Sequence, residues 1–467
     1  MVDAEREDSL PADLLHAITH QGGGRVVLVV GAGVSVESPT KLPLAGQCAE
    51  EAHRRLVEDG ILAEDACDAP DDLSAVADAV FDATGSQVEV VRRLPRERFV
   101  TAVPNKGHCL AAALLRERAL ASVLTLNFDM ALSTALVEVG ASTDVSQIRG
   151  PENHDQLGAH NLVYLHRTAQ HSEDEWILRT QTLAEEWEDN WEEAITTRVM
   201  TTPVVVFAGL GSPAAVLTET ITRLRAILGP TVRVLQVDVV DRDESVFADH
   251  LGLGDGDYIQ SGWVEFMRRL ANRVLVEQLQ RVRLACADLC QAHGWPQEDI
   301  EGLCETIAQD GLLLLGRLRA RWMIEDQPYL PEQGCDPNHV ADLALAIRTI
   351  ERESNTAARL SDDGVVEFWD GTQLRAAIAF ASARGVWRWG AIEPRVERAR
   401  QGWDRRQVEP RKVIVGGAVG AREDVSPPES ILAGTAEANI IEPSVIEYVP
   451  IDTLRTGATL VEELLSV

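Results

Sequence analysis

The chain has 467 residues, enough for two or three domains at roughly 150 residues each, which excludes a small scaffold stapled by disulfides. Hydrophobic residues make up 45% and charged residues 25%, the balance of an ordinary globular protein, and apolar runs such as Val26–Val30 fall far short of the roughly 20 residues of a bilayer span. Asp and Glu outnumber Lys and Arg by 74 to 43, and the net charge of −31 repels phosphate backbones and anionic lipid, so neither nucleic acid nor membrane is expected as a direct partner.

The opening MVDAEREDSLPADLL is acidic and lacks a basic stretch followed by an apolar core, which points to the cytoplasm. Leu10, Leu14 and Ile18, with Leu15 beside them, predict a short amphipathic helix within residues 1–20. From there to about residue 275, apolar runs alternate with helical stretches. Strands are expected near 26–30, 121–126, 161–165, 203–208 and 232–237, which predicts a doubly wound α/β domain built on a parallel sheet.

Residues 58–82 carry nine acids and no Lys or Arg, and residues 172–193 carry nine more; both read as solvated helix faces, as do the basic residues Arg92, Arg93, Arg96 and Arg98. The seven cysteines, at 48, 67, 109, 286, 290, 304 and 335, form no C-x-x-C pair and read as small buried residues in a reducing compartment. Helical periodicity over 276–292, 297–323 and 338–354 marks a mainly helical second domain, 276–408. It includes a stretch around Trp369, Trp387, Trp389 and Trp403 that plain core packing would equally explain. Residues 409–467 read as a β-rich tail or docking arm with strand-like pieces at 413–416, 440–441 and 445–449.

Three strand ends carry chemistry. VVLVVGAGVS, residues 26–35, closes a strand on Gly31-Ala32-Gly33, a turn in which the backbone approaches a ligand and N–H groups face an anionic pyrophosphate. Any strand-to-helix turn can use two glycines, and Val36 stands where a third would complete G-x-G-x-x-G. A second strand delivers Thr125, Asn127 and Asp129 to its carboxyl end; Asn127 can hold a ribose hydroxyl or water, and Asp129 can accept from a carboxamide or merely cap the next helix. NLVYLHRTAQ ends a third strand at His166, a possible base toward a ribose hydroxyl or a structural histidine.

The order strand-GAGVS, strand-TLNFD, strand-LH, strand-FAGLGS resembles the sirtuin family over residues 22–275. The resemblance implies that Gly31, Ala32, Gly33 and Ser35 line the NAD pyrophosphate, that Asn127 holds the nicotinamide ribose or the attacking water, and that Asp129 binds the nicotinamide carboxamide. It makes His166 the catalytic histidine and places Gly209, with Gly211 or Ser212, in a second cofactor loop. Asp238, closing the strand VRVLQVD, is placed to bind the adenosine ribose.

Departures from the family narrow the reading. No cysteine lies between 110 and 285, so the zinc ribbon of the protein deacylases is missing and no zinc is expected; the family's GIP-x-FR stands as Lys41-Leu42-Pro43-Leu44-Ala45, and its HG as His166-Arg167. A deacylase is therefore disfavoured. The features look like the zinc-free branch of bacterial antiphage defence, which implies an NAD hydrolase acting in abortive infection, with NAD as substrate. A homo-oligomer, a partner defence protein, or both are expected, with the C-terminal region controlling assembly or access to the pocket. A non-catalytic NAD or ADP-ribose sensor and a scaffold subunit remain as alternatives.

Overall fold

A computed structural model describes residues 10–20, 23–142, 144–179, 191–211, 215–293, 301, 304–305, 307–309, 311–316, 351, 354–361, 365–380, 389–410, 412–417 and 445–450. The chain divides into two compact units, Met1–Val274 and Leu275–Val467.

The first unit is built on seven parallel strands: β1 (Val26–Val30), β2 (Ser122–Thr125), β3 (Ser146–Ile148), β4 (Asn161–Tyr164), β5 (Val204–Ala208), β6 (Arg233–Asp238) and β7 (Tyr258–Gln260), in the order β3-β4-β2-β1-β5-β6-β7. The central strands read as unbroken apolar runs because both their faces are covered. Val27, Val29, Leu124, Val163, Val205 and Phe207 pack to one side in a core shared with Ile195, Val199, Ile221 and Phe247. Their neighbours Leu28, Val206 and Leu235 are equally buried, and the two-residue period turns them to the opposite face. The helix α1 (Ala12–Ile18), with Leu14 and Ile18 buried as its spacing predicts, lies against β1 and β5.

Between β1 and β2 the chain forms a helical layer with its own core: α2 (Ala45–Glu58), α3 (Leu73–Thr84), α4 (Val88–Val91) and α5 (Arg96–Val100), into which Trp176 and Leu178 also pack. Asp72 caps α3 by accepting from the N–H groups of Ser74 and Ala75, and Gly85 ends it with a left-handed φ of 77° that its missing Cβ permits. α6 (Lys106–Arg116) starts with a capping box, the Asn105 carboxamide accepting from His108 N–H and the His108 ring accepting from Asn105 N–H. After β2 comes α7 (Ala131–Glu138), and α8 (Trp191–Met200), α9 (Ala215–Leu228) and α10 (Val246–Leu251) follow in turn. α11 (Trp263–His293) receives a cap from Glu37, whose carboxylate accepts from Val264 N–H. Helices thus cover the parallel sheet on both faces, the doubly wound arrangement the alternation predicts. The acidic run at 58–82 contains α3, whose buried side chains are apolar, and the basic cluster is paired: Arg92 with Glu89 and Glu173, Arg93 with Asp59 and Glu89.

In the second unit, β8 (Ala357–Leu360), β9 (Val365–Asp370), β10 (Gln373–Phe380), β11 (Lys412–Gly417) and β12 (Val445–Pro450) form one mixed sheet in the order β12-β11-β10-β9-β8. Its first three strands pair antiparallel and its last three parallel, so β11 and β12 of the tail extend a sheet begun before residue 409. The β8–β10 strands are an addition to the helical content expected there. α12 (Trp389–Arg406) contacts β9 and β10. Trp369 and Trp403 are core residues, and both donate their indole N–H to the buried Glu367. Most of the helices expected over 297–323 and 338–354, the strand at 440–441, and the side chains of Trp387, Cys286, Cys290 and Cys335 lie outside the described residues. Among the described residues no helix is long and apolar enough to cross a membrane, and no three His, Cys, Asp or Glu side chains are grouped to hold a metal ion.

Candidate active site at the carboxyl edge of the sheet

The strand order reverses direction between β1 and β5: β2 and β4 lie on one side of β1, β5 and β6 on the other. Loops leaving neighbouring strands at such a point go to opposite faces, and this is where open α/β sheets bind ligands. At this edge stand, in spatial order, His166 after β4, Asn127 after β2, Gly31 after β1, Gly209 after β5 and Asp238 at the end of β6.

The two glycine loops are fastened to each other. Gly31 N–H donates to Ala208 O at 3.0 Å and Gly33 N–H to Gly209 O at 2.9 Å. A Cβ on Gly33 would stand 2.7 Å from the Gly209 Cα, and one on Gly209, whose φ is +67°, would stand 2.6 Å from Val34 N. These glycines therefore allow backbone to lie on backbone, a reason for GAG that is independent of any ligand. Asn105, fully buried, reinforces the loop by donating to Val34 O at 2.9 Å. Gly211 is open, and Ser212 lies outside the described residues.

Ser35, Asn127 and Asp129 form one hydrogen-bonded group across the β1 and β2 loops. Ser35 Oγ donates to Asp129 Oδ2 at 2.9 Å, Ala131 N–H donates to Asp129 Oδ1 at 3.0 Å, and Asn127 Nδ2 donates to Gly31 O at 3.0 Å. The hydroxyl of Thr125, wholly buried, accepts from Asn127 N–H at 3.1 Å and so shapes the turn that presents Asn127. Burial raises the Asp129 carboxyl above the usual carboxylate range, against the hydrogen bonds from Ala131, Ser35 and Asn127. Asp129 thus joins the two loops and caps α7, while Asn127 and Ala32 are only partly buried.

His166 follows the end of β4, its ring 6.4 Å from Phe128, which stacks on Trp176 at 4.3 Å. Burial, then the charge of Arg167, pushes the His166 imidazole down to about 4, so it is neutral at pH 7. Neutral imidazole offers one acceptor and one donor nitrogen. Arg167 has a left-handed φ of 74°, pairs with the buried Glu192 at 3.1 Å and lies 5.4 Å from the centre of the Trp191 ring. Its involvement is announced in the sequence only by a bulky residue following His166. Asp238 is partly buried and accepts from Val239 N–H at 2.7 Å and from Gln236 at 3.3 Å. The structure therefore gathers Gly31, Gly33, Ser35, Thr125, Asn127, Asp129 and Gly209 into one bonded cluster, with His166 joined through Phe128 and Asp238 standing apart beyond β5.

No protein-family model matches the chain, and no curated protein matches it. Solved structures similar to it include a Sir2 homologue–NAD complex (16% identity, TM-score 0.33, 57% of this chain and 94% of that one) and a Sir2 homologue mutant–ADP-ribose complex (16%, 0.33, 57% and 96%). A third is Sir2 bound to acetylated peptide (13% identity, TM-score 0.32, 55% of this chain and 95% of that one).

Proposed function

We propose that the protein is an NAD hydrolase that cleaves NAD to nicotinamide and ADP-ribose. The observation that carries this reading is the row of groups along one sheet edge. From His166 to Asp238 the edge crosses four strand intervals, about 19 Å at about 4.8 Å each, a span suited to an extended dinucleotide. The adenosine ribose would meet Asp238, the pyrophosphate the Gly31–Ser35 and Gly209–Ser212 loops at the reversal point, and the nicotinamide riboside Asn127 and His166, with Asp129 behind it.

The chemistry asks little of the protein. The bond between nicotinamide nitrogen and ribose C1′ breaks through an oxocarbenium-like state, water oxygen bonds to C1′, and one proton leaves to solvent. Orientation of the ribose by Asn127 and hydrogen bonding by neutral His166 to a ribose hydroxyl or to the water lower the barrier by placement and charge stabilisation. The resemblance read from the sequence supports a role in bacterial antiphage defence, with NAD depletion held off until infection by a C-terminal region that controls assembly or access to the pocket. Assays of NAD loss and ADP-ribose formation by wild type, Asn127→Ala and His166→Ala, with binding by calorimetry, test the reading. Each substitution is expected to lower kcat at least about 100-fold.

A further inference from the structure

The chain immediately after His166 takes a conformation that side chains disfavour, and a large side chain stands there. Arg167 has φ +74°, in the left-handed region where glycine is the natural occupant. The guanidinium accounts for the choice. It donates to Glu192 Oε1 at 3.1 Å, with Arg167 15% and Glu192 4% exposed in their side chains, and it sits over the Trp191 ring at 5.4 Å. A charge-assisted hydrogen bond shielded from water, together with a cation over an aromatic face, is strong enough to hold a strained turn.

The rest of the turn is fastened as well. Thr168 N–H donates to His171 Nδ1 at 3.0 Å and Ala169 N–H to Phe128 O at 2.8 Å, while Arg96 donates to Ala169 O at 2.9 Å and to His171 O at 2.6 Å. On the other side of His166, Leu165 N–H donates to Thr125 O at 3.0 Å and continues the β4 ladder. His166 is the residue between a fixed strand and a fixed turn. The backbone at 166 and 167 sets the angle between them, and of the two it is Arg167 that carries the left-handed φ.

We propose that Arg167 is a positioning residue for His166: its bond to Glu192, backed by Trp191, holds the left-handed turn that sets the direction in which the imidazole leaves β4. This rests on the reading of His166 as the group at the nicotinamide end. Arg167→Gly tolerates the same φ but cuts the clamp, and Glu192→Gln keeps the shape of the carboxylate while removing its charge.

The test uses the full chain, deuterated except for histidine and phenylalanine, and follows the nuclear Overhauser contact between the Phe128 and His166 rings beside kcat and KM for NAD. Both variants are expected to weaken that contact and lower kcat about tenfold with KM within about twofold, and Arg167→Lys to recover part of the loss. Wild-type ring contact and kcat in Arg167→Gly and Glu192→Gln would overturn the proposal. If wild type turns over no NAD, the hydrolase reading fails alone and the ring contact by itself decides for or against positioning; if Arg167→Gly does not fold, Glu192→Gln decides.

Discussion

Two buried carboxylates, Asp129 in the first unit and Glu367 in the second, are treated in opposite ways. Glu367, in the second unit, accepts from Trp369 Nε1 at 3.0 Å and Trp403 Nε1 at 2.7 Å and takes two bonds from the Arg406 guanidinium, at 2.6 and 3.2 Å. Burial alone would raise its pKa, but the bonds and charge of Arg406 and the indole donors prevail and lower it. Asp129, in the first unit, is bonded by a hydroxyl, a carboxamide and a backbone N–H, all neutral, and its pKa is raised. The difference lies in the cation. Glu367 is a fixed negative charge around which two indoles and the end of α12 are arranged. Asp129 is held in shape without its charge being fixed, at the edge where a polar ligand would be received.

Removing the carboxylates breaks the comparison most directly. Glu367→Ala leaves two buried indole N–H groups without their acceptor, while the exposed Arg406 guanidinium can turn to water, and is expected to cost about 2–3 kcal/mol, seen as a lowered urea midpoint followed by tryptophan fluorescence. A loss below about 1 kcal/mol would mean that the carboxylate does not organise this sheet–helix contact. Asp129→Ala strands only neutral donors and should cost about 1–3 kcal/mol, with Asp129→Asn costing less because the carboxamide still accepts from Ala131 N–H. The pH dependence carries the distinction further. A folded pKa above the unfolded 3.8 means that the contribution of Asp129 is fully present below pH 3.8 and is lost as pH rises through the folded value. Asp129→Asn should remove that decline.

How much of this could be read from the chain depended on how far apart the partners lie. β1, β2, β4, β5 and β6 are legible because both faces of each are covered and the runs are apolar throughout. β3 and β7 are three-residue edge strands with one buried residue each, Ile148 and Ile259, too little for any period to register. β9 hides because Glu367 interrupts its apolar run, and the donors that excuse a buried acid, Trp403 and Arg406, come more than 35 residues later. At the site, the residue types at the strand ends were legible, and so was the order of the loops. Their mutual use was not: Gly33 faces Gly209, and Ser35 is bonded to Asp129 across 94 positions. Sequence assigned Ser35 and Asp129 separately to a ligand, whereas folding first bonds them to each other.

The buried base beside the site sharpens the same comparison. His108, fully buried at the start of α6, accepts the Asn105 N–H at Nδ1 over 3.2 Å, which leaves the proton on Nε2. Burial pushes the imidazole down to about 3. In the unfolded chain it titrates near 6.5, so between about pH 6.5 and 3 the unfolded state binds the extra proton, and stability falls as the solution is acidified. For one such group the loss between pH 7 and 5.5 is about 1 kcal/mol, and His166, lowered to about 4, acts in the same sense. His108→Gln retains an acceptor for the Asn105 N–H and so keeps the capping box while deleting the titration. Urea denaturation of this variant at pH 7 and 5.5 should therefore show a difference smaller by about 1 kcal/mol than in the wild-type chain. An unchanged difference would mean that His108 takes up its proton in the folded state, and hence that a group able to share a charge stands against Nε2.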